Sequence, residues 1–383
     1  MSRSYWQNWA ATLLFFAAFY ALLVPLPHYL TSLSMPDWQL GLILGAFGIA
    51  SLIGRPLLGY TTDRWGSRPN VLVGAALFML GAFSIPFVHN PFVIFILRVL
   101  QAGGYVAFTT ASTSLVAELA PAAKRGQALA IFGVAANVAM SFTPAVIDFS
   151  LAWIGIMGAF IAAGCMALVA VLLAWGVPSS QGSPSIVFDW RNVLLIPRDL
   201  RLPMLAAALL GLGFGAFLQF MPLLVERRGL SSAGVIYSCY AAGIILTRVV
   251  ASRWLNGEYF AQVIIVGFLT SGLGLVALGL GNNTLWLCIG AVLVASGGGL
   301  LHPALMTHNI ALLPTARGRA IAICYLGMDL GIGLGSWLLG FILEFAGLTT
   351  MYLVAAVGVT CGLVLVPLIA RRSTLHYAQE GLS

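Results

Sequence analysis

Asp329 is the ionisable residue best placed to do chemistry, because it stands deep inside an apolar stretch. At about 1.5 Å per helical residue it lies roughly 16 Å into that stretch, near its middle. Ionisable groups in such positions are costly, and they mark proton relays or ligand pathways. A lone carboxyl group there can carry a proton or bind a cationic ligand. The alternative is a structural hydrogen bond to a neighbouring helix.

Arg98 is a second charge inside an apolar stretch, and polar residues follow it at helical spacing. Gln101 and Tyr105 come three and seven residues later, on the same face of a helix. A buried guanidinium stays charged and can stabilise a nearby carboxylate. The alternative is an arginine whose charged end extends to water.

Three more polar residues join the candidates for proton coupling or substrate binding. His302 can titrate near pH 6.5, which is about its ordinary value, or it can stay neutral and bond to a neighbouring carbonyl. Asn137 and Tyr325 also lie inside apolar stretches, and Tyr325 is one helical turn before Asp329.

The stretches that carry these residues are long enough to cross a membrane. The chain of 383 residues is 60% hydrophobic and 8% charged, whereas a soluble domain has about 25% charged residues. A bilayer requires about 20 apolar residues per helix. An all-α membrane protein of twelve transmembrane helices is predicted, with cores at 8–31, 38–59, 70–88, 91–117, 127–148, 152–176, 203–225, 232–254, 260–281, 284–311, 319–342 and 350–370.

The basic residues are distributed unevenly between the two sides of the predicted membrane. Most of the 18 Lys and Arg residues fall in loops on one side, whereas Arg227 and Arg228 fall on the other. This positive-inside bias predicts an inner-membrane protein with both termini in the cytoplasm. The net charge of +7 therefore does not indicate a nucleic-acid partner.

One long polar segment divides the chain. Residues 1–176 are predicted to form a first six-helix bundle, 177–200 a cytoplasmic central linker, and 201–383 a second bundle with a short cytoplasmic tail.

The two halves match each other at an offset close to 193 residues. Arg55 then falls on Arg248, Gly104 on Gly297 and, with one residue of slip, Asn137 on Asp329. Parallel repeats predict two bundles related by a pseudo-two-fold axis along the membrane normal. Chance similarity among apolar segments is the alternative.

The loop after the second stretch carries a spaced motif. The segment Gly-Tyr-Thr-Thr-Asp-Arg-Trp-Gly-Ser-Arg begins at Gly59 and contains Asp63, Arg64, Gly66 and Arg68. It resembles the loop motif of the major facilitator superfamily, Gly-x3-Asp-Arg/Lys-x-Gly-x-Arg/Lys, in the position between helices two and three where that motif belongs. The resemblance implies a cytoplasmic gate formed by these five residues. The alternative is a turn with positive-inside charges.

Two further motifs extend the resemblance. Arg98-x-x-Gln101-x-Gly103 resembles the helix-four motif, whose arginine is associated with proton coupling in many members. The segment from Asn137 to Pro144 resembles the helix-five motif of antiporters, except that Thr143 replaces the glycine before the proline. Because of this departure, the helix-five segment is weaker support for an exporting antiporter than a complete motif would be.

The resemblance implies a secondary transporter similar to the twelve-helix drug and sugar efflux branch. It would export a small, amphipathic organic compound in exchange for protons, by alternating access. Proton-coupled uptake and a non-transporting membrane sensor remain alternatives. Neither an enzyme nor a cofactor or metal is expected, since no phosphate-binding loop, HExxH motif or Cys/His cluster is present. The implied partners are the substrate, protons and membrane lipid, and the family's usual form is a monomer.

Overall fold

The computed structural model describes residues 1–121, 124–178, 196–230, 232–251, 259–313 and 317–369. It does not describe the side chains of a few further residues, among them Gly59 and Asp63 of the loop motif. Most of the predicted linker at 177–200 lies outside the described residues. Within those ranges every regular element is helical.

Twelve α-helical elements follow one another along the described parts of the chain. They are α1 (Arg3–Ala21), α2 (Pro25–Ser32), α3 (Asp37–Leu44), α4 (Ala46–Trp65), α5 (Ser67–Ser84), α6 (Pro91–Leu119), α7 (Arg125–Trp175), α8 (Arg201–Arg227), α9 (Ala233–Ala251), α10 (Phe260–Leu280), α11 (Thr284–Leu312) and α12 (Arg317–Thr360). Short 3-10 turns occupy Ile85–Phe87 and Arg198–Leu200.

Ten candidate membrane spans are found among the described residues, and the two longest are each interrupted by a glycine with non-helical φ and ψ angles. The span Ile131–Trp175 includes Gly155, whose φ of 65° and ψ of 176° are not helical. The span Arg319–Ile369 includes Gly347, with φ 78° and ψ 175°. A positive φ favours glycine, so each of these residues can reverse the chain at a membrane surface. Two crossings per interrupted span would give twelve, and that count stays a prediction.

Proline, glycine and asparagine determine several helix ends. Pro25 begins α2 after a turn, because proline fits the first turn of a helix and lacks the N–H needed in its interior. The side chains of Asn90 and Asn283 accept hydrogen bonds from the first turns of α6 and α11. Such caps satisfy backbone N–H groups that have no partner inside the helix.

The chain divides into two compact units that do not coincide with its sequence halves. Unit 1 comprises Met1–Met35, Ile49–Leu194 and Ser232–Ser238. Unit 2 comprises Pro36–Gly48, Leu195–Ser231 and Cys239–Ser383. The start of the second predicted span therefore packs with unit 2, and the start of α9 packs with unit 1. The division into bundles of 1–176 and 201–383 stays a prediction.

The same close helix contact occurs once in each unit. In unit 1 a Cβ atom at Gly74 would lie 2.7 Å from the Gly104 carbonyl oxygen and 2.5 Å from the Phe108 nitrogen. In unit 2 a Cβ atom at Gly267 would meet Leu301 at 2.6 Å and Gly297 at 3.3 Å. All three positions differ by the offset of 193 residues read from the sequence. Glycine allows the backbones to approach, as is common between membrane helices.

Candidate functional site

Arg98 and Gln101 form a buried polar pair on α6 in unit 1. The Arg98 guanidinium donates a hydrogen bond to Gln101 Oε1, and the two residues are 5% and 0% exposed. A Cβ atom at Gly81 of α5 would lie 2.8 Å from Gln101 Cβ, so only glycine at position 81 leaves room for the Gln101 side chain. The arginine is thus held inside the unit and does not extend to water.

Aromatic rings from α1 lie beside the same face of α6. The Tyr105 ring centroid is 4.6 Å from that of Phe19 and 6.0 Å from that of Phe16. One level further along, Phe15 stacks on Phe108 at 3.8 Å. Tyr105, Phe16 and Phe19 are half-buried. They therefore form an apolar, partly accessible wall next to the Arg98–Gln101 pair.

Asp329 is 8% exposed within α12 of unit 2. Its neighbours on the helix pack against the backbone of α8. A Cβ atom at Gly331 would lie 2.7 Å from the Ala208 carbonyl carbon, and one at Gly211 would lie 2.9 Å from that of Met328. The carboxyl group is therefore carried by a helix that its neighbour holds tightly in place.

His302 and Tyr325 bring α11 and α12 together one helical turn before Asp329. Their ring centroids are 5.5 Å apart. The Nε2 atom of His302 is buried, and it has no hydrogen-bond partner among the described residues. Arg248 of α9 is close enough for its charge to act on the imidazole. The structure thus places two sequence-predicted residues in contact and adds a cation that sequence reasoning left out.

Asn137 lies on α7 and is half-buried. Its side-chain Nδ2 atom donates to the Gly133 backbone carbonyl at 3.2 Å, and its backbone carbonyl accepts from Ser141 Oγ at 2.8 Å. These bonds stay within one helix, so they leave the amide oxygen available to accept a hydrogen bond from a ligand.

The loop motif after α4 forms a tight turn. Gly66 has a φ of 88°, a conformation that favours glycine. The Arg68 guanidinium donates to the Trp175 carbonyl at 2.5 Å and lies 5.9 Å from the centre of its ring. Arg64 is exposed in the last turn of α4. The contacts of the Asp63 side chain and the surroundings of Gly59 lie outside the described residues.

No group of three or more His, Cys, Asp or Glu residues within the described ranges is arranged to hold a metal ion.

Comparison with known families decides what kind of protein carries these groups. The family model of the Major Facilitator Superfamily matches residues 9–262 and 232–381, which together cover nearly the whole chain. The chain belongs to the major facilitator superfamily. The predicted membership of the superfamily is thereby confirmed, and the chain is a multi-pass membrane protein of a transporter family.

Relatives within the major facilitator superfamily are distant. The MFS-type transporter YhhS of Escherichia coli (strain K12) is 26% identical over 352 residues, which are 90% of this chain and 86% of that protein. YhhS of Salmonella typhimurium is 29% identical over 206 residues, 54% of this chain and 50% of that one.

Solved structures of the same superfamily share the fold. A mutant form of the nucleoside transporter NupG superimposes with a TM-score of 0.79 at 15% identity, over 96% of this chain and 99% of that one. The human organic anion transporter MFSD10 superimposes with a TM-score of 0.70 at 16% identity, over 96% and 100%.

Two polar networks of this superfamily member escaped the sequence analysis. In unit 2 the Arg227 guanidinium forms a bidentate ion pair with Asp37, whose backbone N–H donates to Glu344 at 2.6 Å. In unit 1 Asp148 Oδ2 accepts from Ser232 Oγ at 2.5 Å and from the Gly234 N–H at 3.0 Å. Each network places a carboxylate at the first turn of a helix, where the helix dipole favours negative charge.

Arg228 is a structural cation outside the spans. Its guanidinium donates to the Leu278, Gly279 and Gly281 carbonyls at the end of α10. Burial lowers the pKa of Arg228 from its ordinary value, and the neighbouring Tyr352 partly opposes this shift. The residue therefore caps the carbonyl end of α10.

Proposed function

We propose that the protein is a proton-coupled secondary transporter that exports a small, amphipathic organic compound. The observation that carries the proposal is Asp329, a carboxyl group 8% exposed inside an apolar helix. Burying an ionisable group in apolar surroundings is unfavourable, and groups in such positions inside membrane helices mark proton or ligand pathways. Proton exchange at this position couples the movement of substrate to a proton gradient.

The buried pair in unit 1 supplies the second charge. Arg98 contributes a buried guanidinium, and Gln101 Oε1 accepts its hydrogen bond. Asn137, His302, Tyr105 and Tyr325 then line the substrate or proton path. Among these, the His302–Tyr325 contact adjoins Asp329 on α12 and offers hydrogen-bonding groups one turn away.

The loop motif serves the gate in this proposal. Gly66 sets the turn, and Arg68 ties that turn to the end of α7 through Trp175. Gly59, Asp63 and Arg64 complete the set that closes the cytoplasmic side, as the family motif implies. Breaking and re-forming contacts of this kind is what alternating access requires.

Membrane arrangement follows from the same reasoning. We propose twelve crossings in two six-helix bundles, in the cell inner membrane, with both termini in the cytoplasm and a monomer as the working form. The glycine breaks at Gly155 and Gly347 and the contact repeated at an offset of 193 residues support this arrangement. The positive-inside distribution supports the orientation.

The substrate is proposed to be a small organic molecule with an apolar or aromatic part. The half-buried rings of Phe16, Phe19 and Tyr105 supply stacking and apolar contact, which suits such a molecule. The two solved neighbours are named for nucleosides and organic anions, both small organic solutes, which fits this class without selecting a member of it.

Accumulation in efflux-deficient bacteria tests the proposal. Cells expressing the wild type, Asp329→Asn, or the exposed-carboxyl control Asp199→Asn are given labelled dyes, antibiotics, sugars and nucleosides, with and without an uncoupler. We expect lower accumulation of at least one compound with the wild type and the control, and loss of this effect with Asp329→Asn or the uncoupler. Raised accumulation would show uptake instead of export. Uptake remains an alternative because Thr143 replaces the glycine that precedes the proline in the antiporter motif. An unchanged effect in Asp329→Asn would refute the role of the carboxyl group.

A further inference from the structure

Two cysteines of unit 2 lie in contact on neighbouring helices. Cys239 belongs to α9 and Cys288 to α11, and their thiols are within hydrogen-bonding contact of each other. Both are free and half-buried. The other cysteines lie elsewhere: Cys165 and Cys361 are exposed, and Cys324 is buried. The pair therefore differs from isolated cysteines that only fill space.

The contact follows from the register of the two helices. Thr247 Oγ1 donates to Ser296 Oγ at 3.0 Å, 49 residues further along the chain. One turn earlier, a Cβ atom at Gly243 would lie 3.2 Å from Val292 Cα, again 49 residues away. Another turn earlier the same offset joins Cys239 to Cys288. Since residues four apart lie on one helix face, the two cysteines occupy the next level of a continuous seam.

Close approach of the backbones makes this seam suitable for a covalent link. Gly243 lacks a Cβ atom, which lets α9 come within van der Waals contact of the α11 backbone one turn from the cysteines. A disulfide needs Cα atoms about 4.4–6.8 Å apart and Cβ atoms about 4 Å apart. Small residues at a helix contact allow the backbones to approach closely, as Gly243 does here.

We propose that Cys239 and Cys288 are a disulfide site that links α9 to α11. Both lie in the second turns of their helices, towards the ends that the proposed topology places outside the cytoplasm, where disulfides form and persist.

The reaction is an exchange with a disulfide oxidant. One cysteine thiolate attacks a sulfur of the oxidant, which leaves a mixed disulfide and one released thiol. The second cysteine thiolate attacks the protein sulfur of that intermediate and releases the second thiol. Two protein S–H bonds are replaced by one S–S bond, and the oxidant takes up two electrons and two protons to become two thiols.

The link joins two helices of one compact unit. Cys239 begins the third segment of unit 2, and Cys288 lies within that segment. The disulfide is therefore expected to raise the unfolding temperature of the protein by several degrees, since it restricts the unfolded chain. It is expected to leave any transport rate unchanged, because both cysteines belong to the same compact unit.

Thiol counting on the purified full-length protein tests the site. The background variant carries Cys165→Ser and Cys361→Ser, which removes the exposed cysteines and leaves three. The protein is treated with oxidised glutathione or with dithiothreitol, denatured in detergent, and labelled with a maleimide-polyethylene glycol that retards it on a gel. We expect three adducts after reduction and one after oxidation. Addition of Cys288→Ser is expected to give two adducts under both conditions.

Mass spectrometry of the wild-type protein, without substitutions, tests the same site in case a cysteine variant fails to fold. The oxidised protein should yield a peptide pair joined through Cys239 and Cys288. Three adducts after oxidation, a glutathione adduct on each cysteine, or a pair joined through Cys324 would overturn the proposal. None of these outcomes depends on transport, so failure of the proposed function and failure of the disulfide site are separate results.

Discussion

The glycine contact beside Asp329 gives a sharp prediction about α8 and α12. A methyl group added at Gly331 would lie 2.7 Å from the Ala208 carbonyl carbon and 2.9 Å from its Cα atom. These are backbone atoms, so no change of side-chain rotamer can relieve the overlap. Gly331→Ala must therefore push the two helices apart two residues from Asp329 on α12.

The size of the effect follows from two opposing terms. Overpacking a well-filled contact costs about 1–3 kcal/mol. Replacing glycine by alanine in a helix otherwise gains about 0.5–1 kcal/mol. Gly133 on α7 is the matched control, because a Cβ atom there would meet nothing within 4 Å. The helix gain is common to both variants and cancels, so they should differ by the overpacking cost alone. This is about 2 kcal/mol, or roughly 4–8 °C in unfolding temperature for units of this size.

Intrinsic tryptophan fluorescence of the purified protein during heating measures the difference. Gly331→Ala is expected to unfold several degrees below the wild type, and Gly133→Ala at or slightly above it. Transport of any substrate is expected to fall only in Gly331→Ala, since this change displaces α12, the helix that carries Asp329. Equal unfolding temperatures for the two variants would refute the backbone contact between α8 and α12.

Three further variants probe the polar contacts at helix ends. Arg227→Gln is expected to lower the unfolding temperature by about 1–2 °C at low salt and to have no effect at about 1 M salt. The reason is that the ion pair between Arg227 and Asp37 is partly exposed, so salt screens it. A loss that persists at high salt would contradict this. Asp148→Ala is expected to lower the free energy of unfolding by about 1 kcal/mol, because α9 loses its cap. Asp148→Asn is expected to lose much less, because its amide oxygen can still accept the hydrogen bond from the Gly234 N–H. Equal losses in the two variants would argue against capping. Arg228→Lys is expected to lower the unfolding temperature by several degrees, because a single ammonium group cannot reproduce three guanidinium bonds, and unfolding like that of the wild type would refute the cap on α10.

The membrane fold could be predicted from the sequence because the bilayer imposes a strong constraint. Backbone groups in lipid must bond within their own helix, so every long apolar stretch has one structural solution. The position of the breaks was harder to predict. A break was expected between residues 148 and 152, yet the helix continues to Gly155, where a positive φ ends it. Nothing in an apolar sequence distinguishes one glycine as the turning point.

The candidate site was predictable where its contacts are local. The Arg98–Gln101 bond joins residues three apart, so helical spacing alone indicates it. The contacts of Asp37 with Arg227 and of Asp148 with Ser232 join residues 190 and 84 positions apart. Such pairs depend on how helices pack, and helix packing has no signature in a single sequence. Arg248 was missed as a neighbour of His302 for the same reason.

Proton movement in proteoliposomes tests the role of Asp329 most directly. Purified protein is reconstituted with a pH-sensitive dye inside the vesicles, and a compound identified in the accumulation assay is placed on either side. For the wild type and Asp199→Asn we predict proton movement opposite to the compound, and for Asp329→Asn no proton movement. Proton movement in the same direction as the compound would contradict export by exchange. Proton movement that persists in Asp329→Asn would contradict the claim that this buried carboxyl group couples transport to protons.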